Sequence, residues 1–174
     1  MANSMDHPQA SLACKITPLY RLLEKVPNGF LQLFARLSIA PIFWLSGETK
    51  VVARGCLFHG DCTPASLATM LFQTEYKLPG LDPQTWASLA ALSEHLFPAL
   101  LIVGLASRFA ALSLFIMTMV IQFLVYPEWL VWWNTHILWV FPLFYVMSRG
   151  PGPLSLDYLI VQLFGCKRGT VTTY

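Results

Sequence analysis

Residues 86–126 read WASLAALSEHLFPALLIVGLASRFAALSLFIMTMVIQFLVY, and this stretch decides the fold. It contains two apolar runs, Trp86 to Leu105 and Phe109 to Tyr126, broken only around Ser107 and Arg108. An α-helix rises about 1.5 Å per residue, so roughly 20 apolar residues cross the ~30 Å hydrocarbon core of a bilayer. Each run is read as a membrane span, and the break admits only an antiparallel hairpin. Working outward, Gly29 to Ser46 and Trp129 to Met147 are runs of the same kind, with breaks at Gly47, Glu48 and Lys50 and at Pro127-Glu128. The expected fold is all-α: an integral membrane four-helix bundle, up-down-up-down, with spans at about 29–46, 86–105, 109–126 and 129–147.

Composition agrees. Of 174 residues, 56% are apolar and 11% charged, and the mean hydropathy is +0.57. Such a chain has too little polar surface for a water-soluble globule, so membrane lipid is its expected solvent. A net charge of +2 without a dense Lys/Arg face speaks against nucleic acid as a partner. The first residues lack the charged start, apolar run and small-residue cleavage site of a signal peptide, so the first span is expected to serve as the insertion signal.

Charge placement sets the expected orientation, because cytoplasmic segments carry the excess of Lys and Arg. Lys15, Arg21, Lys25, Arg108, Arg149, Lys167 and Arg168 fall on one side, whereas Lys50, Arg54 and Lys77 fall on the other. Both termini are therefore expected in the cytoplasm, with Trp129, Trp132 and Trp133 in the outer interfacial belt. The chain divides into an N-terminal segment 1–28, a membrane domain 29–147 with an outer loop 47–85, and a C-terminal segment 148–174. Thr17-Pro18 opens an amphipathic run to Glu24, and Ser155 opens another through Leu156, Tyr158, Leu159 and Leu163; both are expected as interfacial helices. In the outer loop, Thr63-Pro64 followed by Leu67, Met70, Leu71 and Phe72 predicts a short helix resting on the bundle.

Ionisable groups inside a span are costly unless paired or wetted, so Arg36 and Glu94 require partners. Counting about 1.5 Å per residue places Arg36, Glu94, Gln122 and His136 in the outer half of the membrane. The expectation is an Arg36–Glu94 pair, with His95, Gln122, Asn134 and His136 completing a polar cluster that opens outward. It reads either as a clamp between helices or as a pocket for a small polar or quinone-like ligand, with Arg36 and Glu94 orienting the site and Gln122 and His136 touching the ligand. Pro41, Pro98 and Pro142 are each expected to interrupt a span near this depth. In the outer loop, Cys56 and Cys62 are spaced for a disulfide across a turn at Gly60, and Cys56, His59 and Cys62 form a three-ligand alternative for copper or zinc. Cys14 and Cys166 read as free thiols.

From Arg36 to Asp157 the sequence resembles the DoxX family of small bacterial and archaeal membrane proteins. The resemblance rests on Arg36-Leu37, Phe43, Ser46-Gly47 and Lys50, on Leu71-Phe72 with Glu75-Tyr76-Lys77-Leu78-Pro79, and on Glu94, Gly104-Leu105 and Arg108-Phe109-Ala110-Ala111. It continues through Met117-Thr118, Val120-Ile121-Gln122, Tyr126-Pro127, His136 with Trp139, Arg149-Gly150-Pro151-Gly152 and Ser155-Leu156-Asp157. What it implies is a subunit of the bacterial inner membrane, acting with a partner protein in quinone-linked sulfur redox chemistry or in metal handling. The absence of a Gly-rich phosphate loop, haem-attachment motif or nucleophile elbow speaks against a self-contained enzyme, and the resemblance implies instead a non-catalytic or accessory subunit of a membrane oxidoreductase. A bare anchor or assembly subunit is the alternative, and homo-oligomerisation is compatible with both.

Overall fold

The computed structural model describes residues 25–52, 56–59 and 63–164. In chain order the described helices are α1 (Asn28–Glu48), the short α2 (Cys56–His59) and α3 (Ser66–Thr74), α4 (Pro83–Val103), α5 (Ser107–Val125), α6 (Trp129–Arg149) and α7 (Leu156–Phe164). Four of them, α1, α4, α5 and α6, are long and apolar enough to cross a membrane. α1 packs against α4 and α6, and α5 packs against the same two, so the spans close a ring in up-down-up-down order. The bundle is all-helical; among the described residues the one extended pairing is a bridge between Val51 and Pro64. The expected helix from Thr17 to Glu24 lies outside the described residues.

Helix ends follow local chemistry. Asp82 accepts from the backbone N–H of Thr85 at 2.9 Å and Pro83 takes a first-turn position, so α4 starts three residues earlier than its apolar run. It stops at Val103 rather than Leu105, because Gly104 turns left-handed at φ +78°. That position admits no Cβ: one would meet the Arg36 guanidinium and come within 2.8 Å of Ser155 Cα.

The prolines do not interrupt their helices as the sequence suggested: α1 continues through Pro41, α4 through Pro98 and α6 through Pro142. The irregularities lie elsewhere. α5 ends in a π-helical turn at Ile121–Val125, and α6 contains another at Trp132–His136. Wide turns of this kind re-aim side chains, and here they carry Gln122 and His136.

Where the spans touch, the residues are small: Ala40, Ala87, Ala91, Ala110 and Ala111 are fully buried, together with Ile39, Phe43, Leu101, Leu114 and Leu143. Close approach of helices through small residues is how bundles gain packing in lipid, where apolar burial alone gives little preference. Large apolar side chains such as Phe34, Leu45, Leu138, Phe141 and Phe144 point outward instead, as a lipid-facing surface requires.

The end of the bundle holding the start of α1 and the end of α6 is fastened by polar bonds to the segment 149–157. Gln32 Nε2 donates to the Arg149 carbonyl at 3.1 Å. Arg36, wholly buried, donates from Nη1 to the Leu101 carbonyl at 3.1 Å and from Nη2 to the Leu154 carbonyl. The Leu101 carbonyl lies in the last turn of α4, where the helix leaves acceptors unpaired. Asp157 accepts the N–H groups of Ala106 and Ser107 at 2.7 and 2.9 Å, and its own N–H donates to the Gly104 carbonyl at 2.9 Å. One carboxylate thus caps α5 and docks the start of α7. Replacing it by alanine, Asp157→Ala, should cost about 1–2 kcal/mol of bundle stability. The same variant should speed amide exchange at residues 104–107 and 155–160 while leaving α1 unchanged; unaltered exchange at both segments would refute the capping role.

Candidate functional site

The polar layer divides into two groups that the sequence had merged. Arg36 does not meet Glu94: its guanidinium runs toward the terminal end of the bundle, to the Leu101 and Leu154 carbonyls. The expected ion pair is replaced by one between Lys50 and Glu94, with Nζ 2.7 Å from Oε2. The reason is reach. A guanidinium at mid-bundle can extend toward either end, and unpaired helix-end carbonyls attract it one way, while the four-carbon stem of Lys50 folds back from the loop over the last turn of α1.

Glu94 is held from two sides. Ser46 Oγ donates to Oε1 at 3.3 Å, and Lys50 also donates to Ser46 Oγ at 2.9 Å and to the Ser46 carbonyl at 3.2 Å. The Glu94 side chain is 4% exposed and that of Lys50 12%, so the pair sits in low dielectric at the end of the bundle bearing the long loop. Gly47 makes the arrangement possible. A Cβ there would stand 2.7 Å from the His95 ring and 3.1 Å from Glu94 Cβ, so α1 and α4 approach only because this side chain is absent.

His95 faces away from Glu94. Its Nδ1 is 2.7 Å from the Ala91 carbonyl, its Nε2 is 3.6 Å from Glu48 Oε1, and its ring meets Trp44 edge-on at 5.2 Å. Asn134 also leaves the cluster, since the π-turn of α6 places it on the exposed surface. Gln122 and His136 do come together: Gln122 Oε1 lies 2.5 Å from His136 Nδ1, and Gln122 Nε2 donates to the Tyr126 carbonyl at 3.0 Å.

A cavity of about 370 Å³ lies between the spans at this level. Its polar wall includes Ser46, Lys50, Ser93, Glu94, Ser113 and His136; the rest is apolar or aromatic, from Phe43, Phe97, Met117, Val120 and Trp139 among others. Gln122 stands behind His136 rather than in the wall, and Arg36 and His95 do not line it either. Leu89 of α4 and Ile116 of α5 belong both to the wall and to the exposed surface, so the rim of the cavity faces lipid between these two helices. Over the loop end, Phe72 of α3, Tyr76, Leu78 and Trp86 form the roof. Tyr76 stacks edge-on with Phe72 at 5.0 Å and with Tyr126 at 6.1 Å. Burial, and then the neighbouring Tyr126, push the Tyr76 phenol well above its ordinary range, so it remains a neutral donor at any physiological pH. The Trp86 indole N–H is buried with no partner among the described residues, an orphaned donor in the same roof.

Sequence reading named Lys50, Tyr76 and Tyr126 among the residues of the family resemblance without placing them in the polar cluster, and it did not name Trp86 as a site residue. The available signal was a lysine one turn past Ser46, close enough along a helix end to snorkel inward, but it was read as a loop residue, a marker of orientation and a part of the family motif, not as the partner of Glu94. Among the family-motif residues, Gly47 and Lys50 serve the cavity wall, Asp157 serves the terminal end, and Glu75 and Arg108 are exposed. Cys62, Cys14 and Cys166 lie outside the described residues, as do the side chains of Cys56 and His59. Among the described residues no group of His, Cys, Asp and Glu could hold a metal ion.

A family model described as DoxX matches residues 31–127, more than half of the chain. The match takes in α1 through α5 with Lys50, Glu94 and Gln122, and it stops before α6, so His136 and Trp139 lie beyond it. No curated protein and no solved structure matches.

The Lys50–Glu94 pair predicts an asymmetry. Lys50→Met leaves a buried carboxylate with only Ser46 and should cost about 3 kcal/mol. Glu94→Gln leaves an ammonium at the loop end that can turn to water, and should cost less than half as much. Thermal unfolding of the two purified variants decides: equal losses would contradict the burial argument.

Proposed function

The chain belongs to the DoxX family, and we propose that it is a membrane subunit that takes a lipophilic, quinone-like ligand from the bilayer and acts with a partner protein in a redox pathway. The observation that carries this reading is the cavity whose rim, at Leu89 and Ile116, faces lipid while Lys50, Glu94 and His136 stand in its wall. A ligand dissolved in hydrocarbon needs a lateral entrance. An apolar slot with a few fixed polar groups suits a flat ring bearing oxygens and an apolar tail. The cavity volume falls at the small end of the roughly 300–1,000 Å³ typical of small-molecule sites.

Orientation belongs to the same proposal. Arg108 and Arg149 stand at the terminal end, and because cytoplasmic segments carry the excess of Lys and Arg, this supports an orientation with that end in the cytoplasm of a bacterial cell and the cavity toward the outer leaflet. The partner would supply or accept the electrons.

A second reading has its own support: the Lys50–Glu94 pair and the Gln122–His136 bond also tie helices together, as a scaffold would need. Filling the cavity separates the two. Ser93 lines it and makes no hydrogen bond among the described residues, so Ser93→Trp should block the slot and leave both polar bonds intact. With purified protein in nanodiscs and a short-chain quinone as probe, the variant should bind at least tenfold more weakly at an unchanged unfolding temperature. Equal binding by wild type and variant, or none by either, would leave the scaffold as the better account.

A further inference from the structure

The hydrogen-bond chain behind the cavity fixes more than the position of His136. The carbonyl of Tyr126 can only accept, so the Gln122 group 3.0 Å from it must be the amide nitrogen. The amide oxygen of Gln122 therefore faces His136, and at 2.5 Å from Nδ1 it too can only accept. The proton of a neutral imidazole is then on Nδ1, and Nε2 carries a lone pair. His136 is 3% exposed and lines the cavity, and its Nε2 makes no hydrogen bond among the described residues. Trp139 packs against the ring at 5.1 Å, and the π-turn of α6 sets the orientation of the whole group.

This acceptor belongs to a residue of the cavity wall and stays unsatisfied until something donates to it. Water could do so, yet a ligand that expels water must replace that bond or lose affinity. We infer that the cavity selects ligands bearing a hydroxyl group, of the phenol or quinol class, which donates to His136 Nε2, and that Gln122 is the positioning residue that keeps this nitrogen an acceptor. The inference rests on the cavity being a ligand site, and it narrows that reading from a flat oxygenated ring to one whose oxygen carries a proton. The backbone carbonyl of Tyr126 is the fixed end of the chain, since it cannot flip and so leaves the Gln122 amide one orientation.

Two compounds of nearly the same shape test it: a long-chain alkylphenol and its methyl ether, neither needing a redox partner. Binding of each to the purified full-length protein in nanodiscs should favour the phenol by about tenfold, equivalent to ~1.4 kcal/mol. In His136→Phe, which keeps a ring in place, the phenol should fall to the level of the ether while the ether still binds. Nitrogen-15 spectra of labelled histidine should show His136 as the Nδ1–H tautomer, with the Nε2 resonance moving on addition of the phenol and not of the ether. In Gln122→Leu the Nδ1–H preference should be lost, a change that a merely structural role for the amide would not produce. Equal affinity of wild type for the two compounds, or an Nε2–H tautomer in wild type, overturns the selection while leaving the cavity a ligand site. Failure of both compounds to bind would overturn the ligand reading itself. The wild-type measurements decide even if either variant fails to fold.

Discussion

In hydrocarbon there is no water to satisfy a polar group, so every donor, acceptor and charge inside the bundle must find its partner in the protein. The organisation of this molecule follows from that constraint. Apolar contact cannot by itself sort four helices in a solvent as apolar as they are, and the small residues at the crossings only allow close approach. What fixes the arrangement is the handful of polar side chains and where each finds its complement. At one end Arg36, Gln32 and Asp157 bind helix-end carbonyls and amides, holding α1, α4, α5 and the segment after α6 together. At the other, Lys50 reaches in to Glu94 beneath Gly47.

The two ends use this constraint differently. The groups at the terminal end bind backbone atoms that the helix ends leave unpaired, as a fastening does, although Arg36 Nε and Ser107 Oγ are buried there without a partner among the described residues. Those at the loop end surround a cavity: Trp86 Nε1 is buried there without a partner among the described residues, and His136, whose Nδ1 is bonded to Gln122, stands in its wall. Unsatisfied groups in a low-dielectric site are tolerated where a ligand satisfies them. The roof of aromatic residues, with a phenol at Tyr76 that burial keeps neutral, adds donors without adding charge. The ligand proposed for such a slot is mostly hydrocarbon with a small oxygenated head.

Much of the fold was legible because the membrane imposes a simple length rule. Runs of apolar residues broken at Ser107-Arg108 and Pro127-Glu128 have only one compact solution, and the four spans appear where that rule puts them. The ends were less legible: Asp82 and Gly104 moved the bounds of α4, since capping is a matter of individual hydrogen bonds and not of hydropathy. The site was legible in part. That Glu94, Gln122 and His136 would matter follows from the cost of burying them, and Gln122 and His136 do meet. Who pairs with Glu94 did not follow, because depth along a helix leaves open which way a long side chain extends. The assignment of Arg36 to Glu94 failed for that reason, and Asn134 left the cluster because a π-turn rotates the residues around it. Nothing in the sequence announces a π-turn, which depends on neighbouring helices as much as on local residues.

The central claim is that a lipophile enters between α4 and α5 and lodges its polar head beside Glu94 and His136. The measurement that tests it most directly is photolabelling in membranes with a quinone analogue carrying a photoreactive group on its tail, followed by peptide mapping of the adducts. The account predicts adducts concentrated on the facing surfaces of α4 and α5, at or near Leu89 and Ile116, and competed away by the unlabelled quinone. Labelling spread evenly over the outward residues of all four spans, Phe34, Leu45, Phe141 and Phe144 included, and unaffected by competitor, would contradict it.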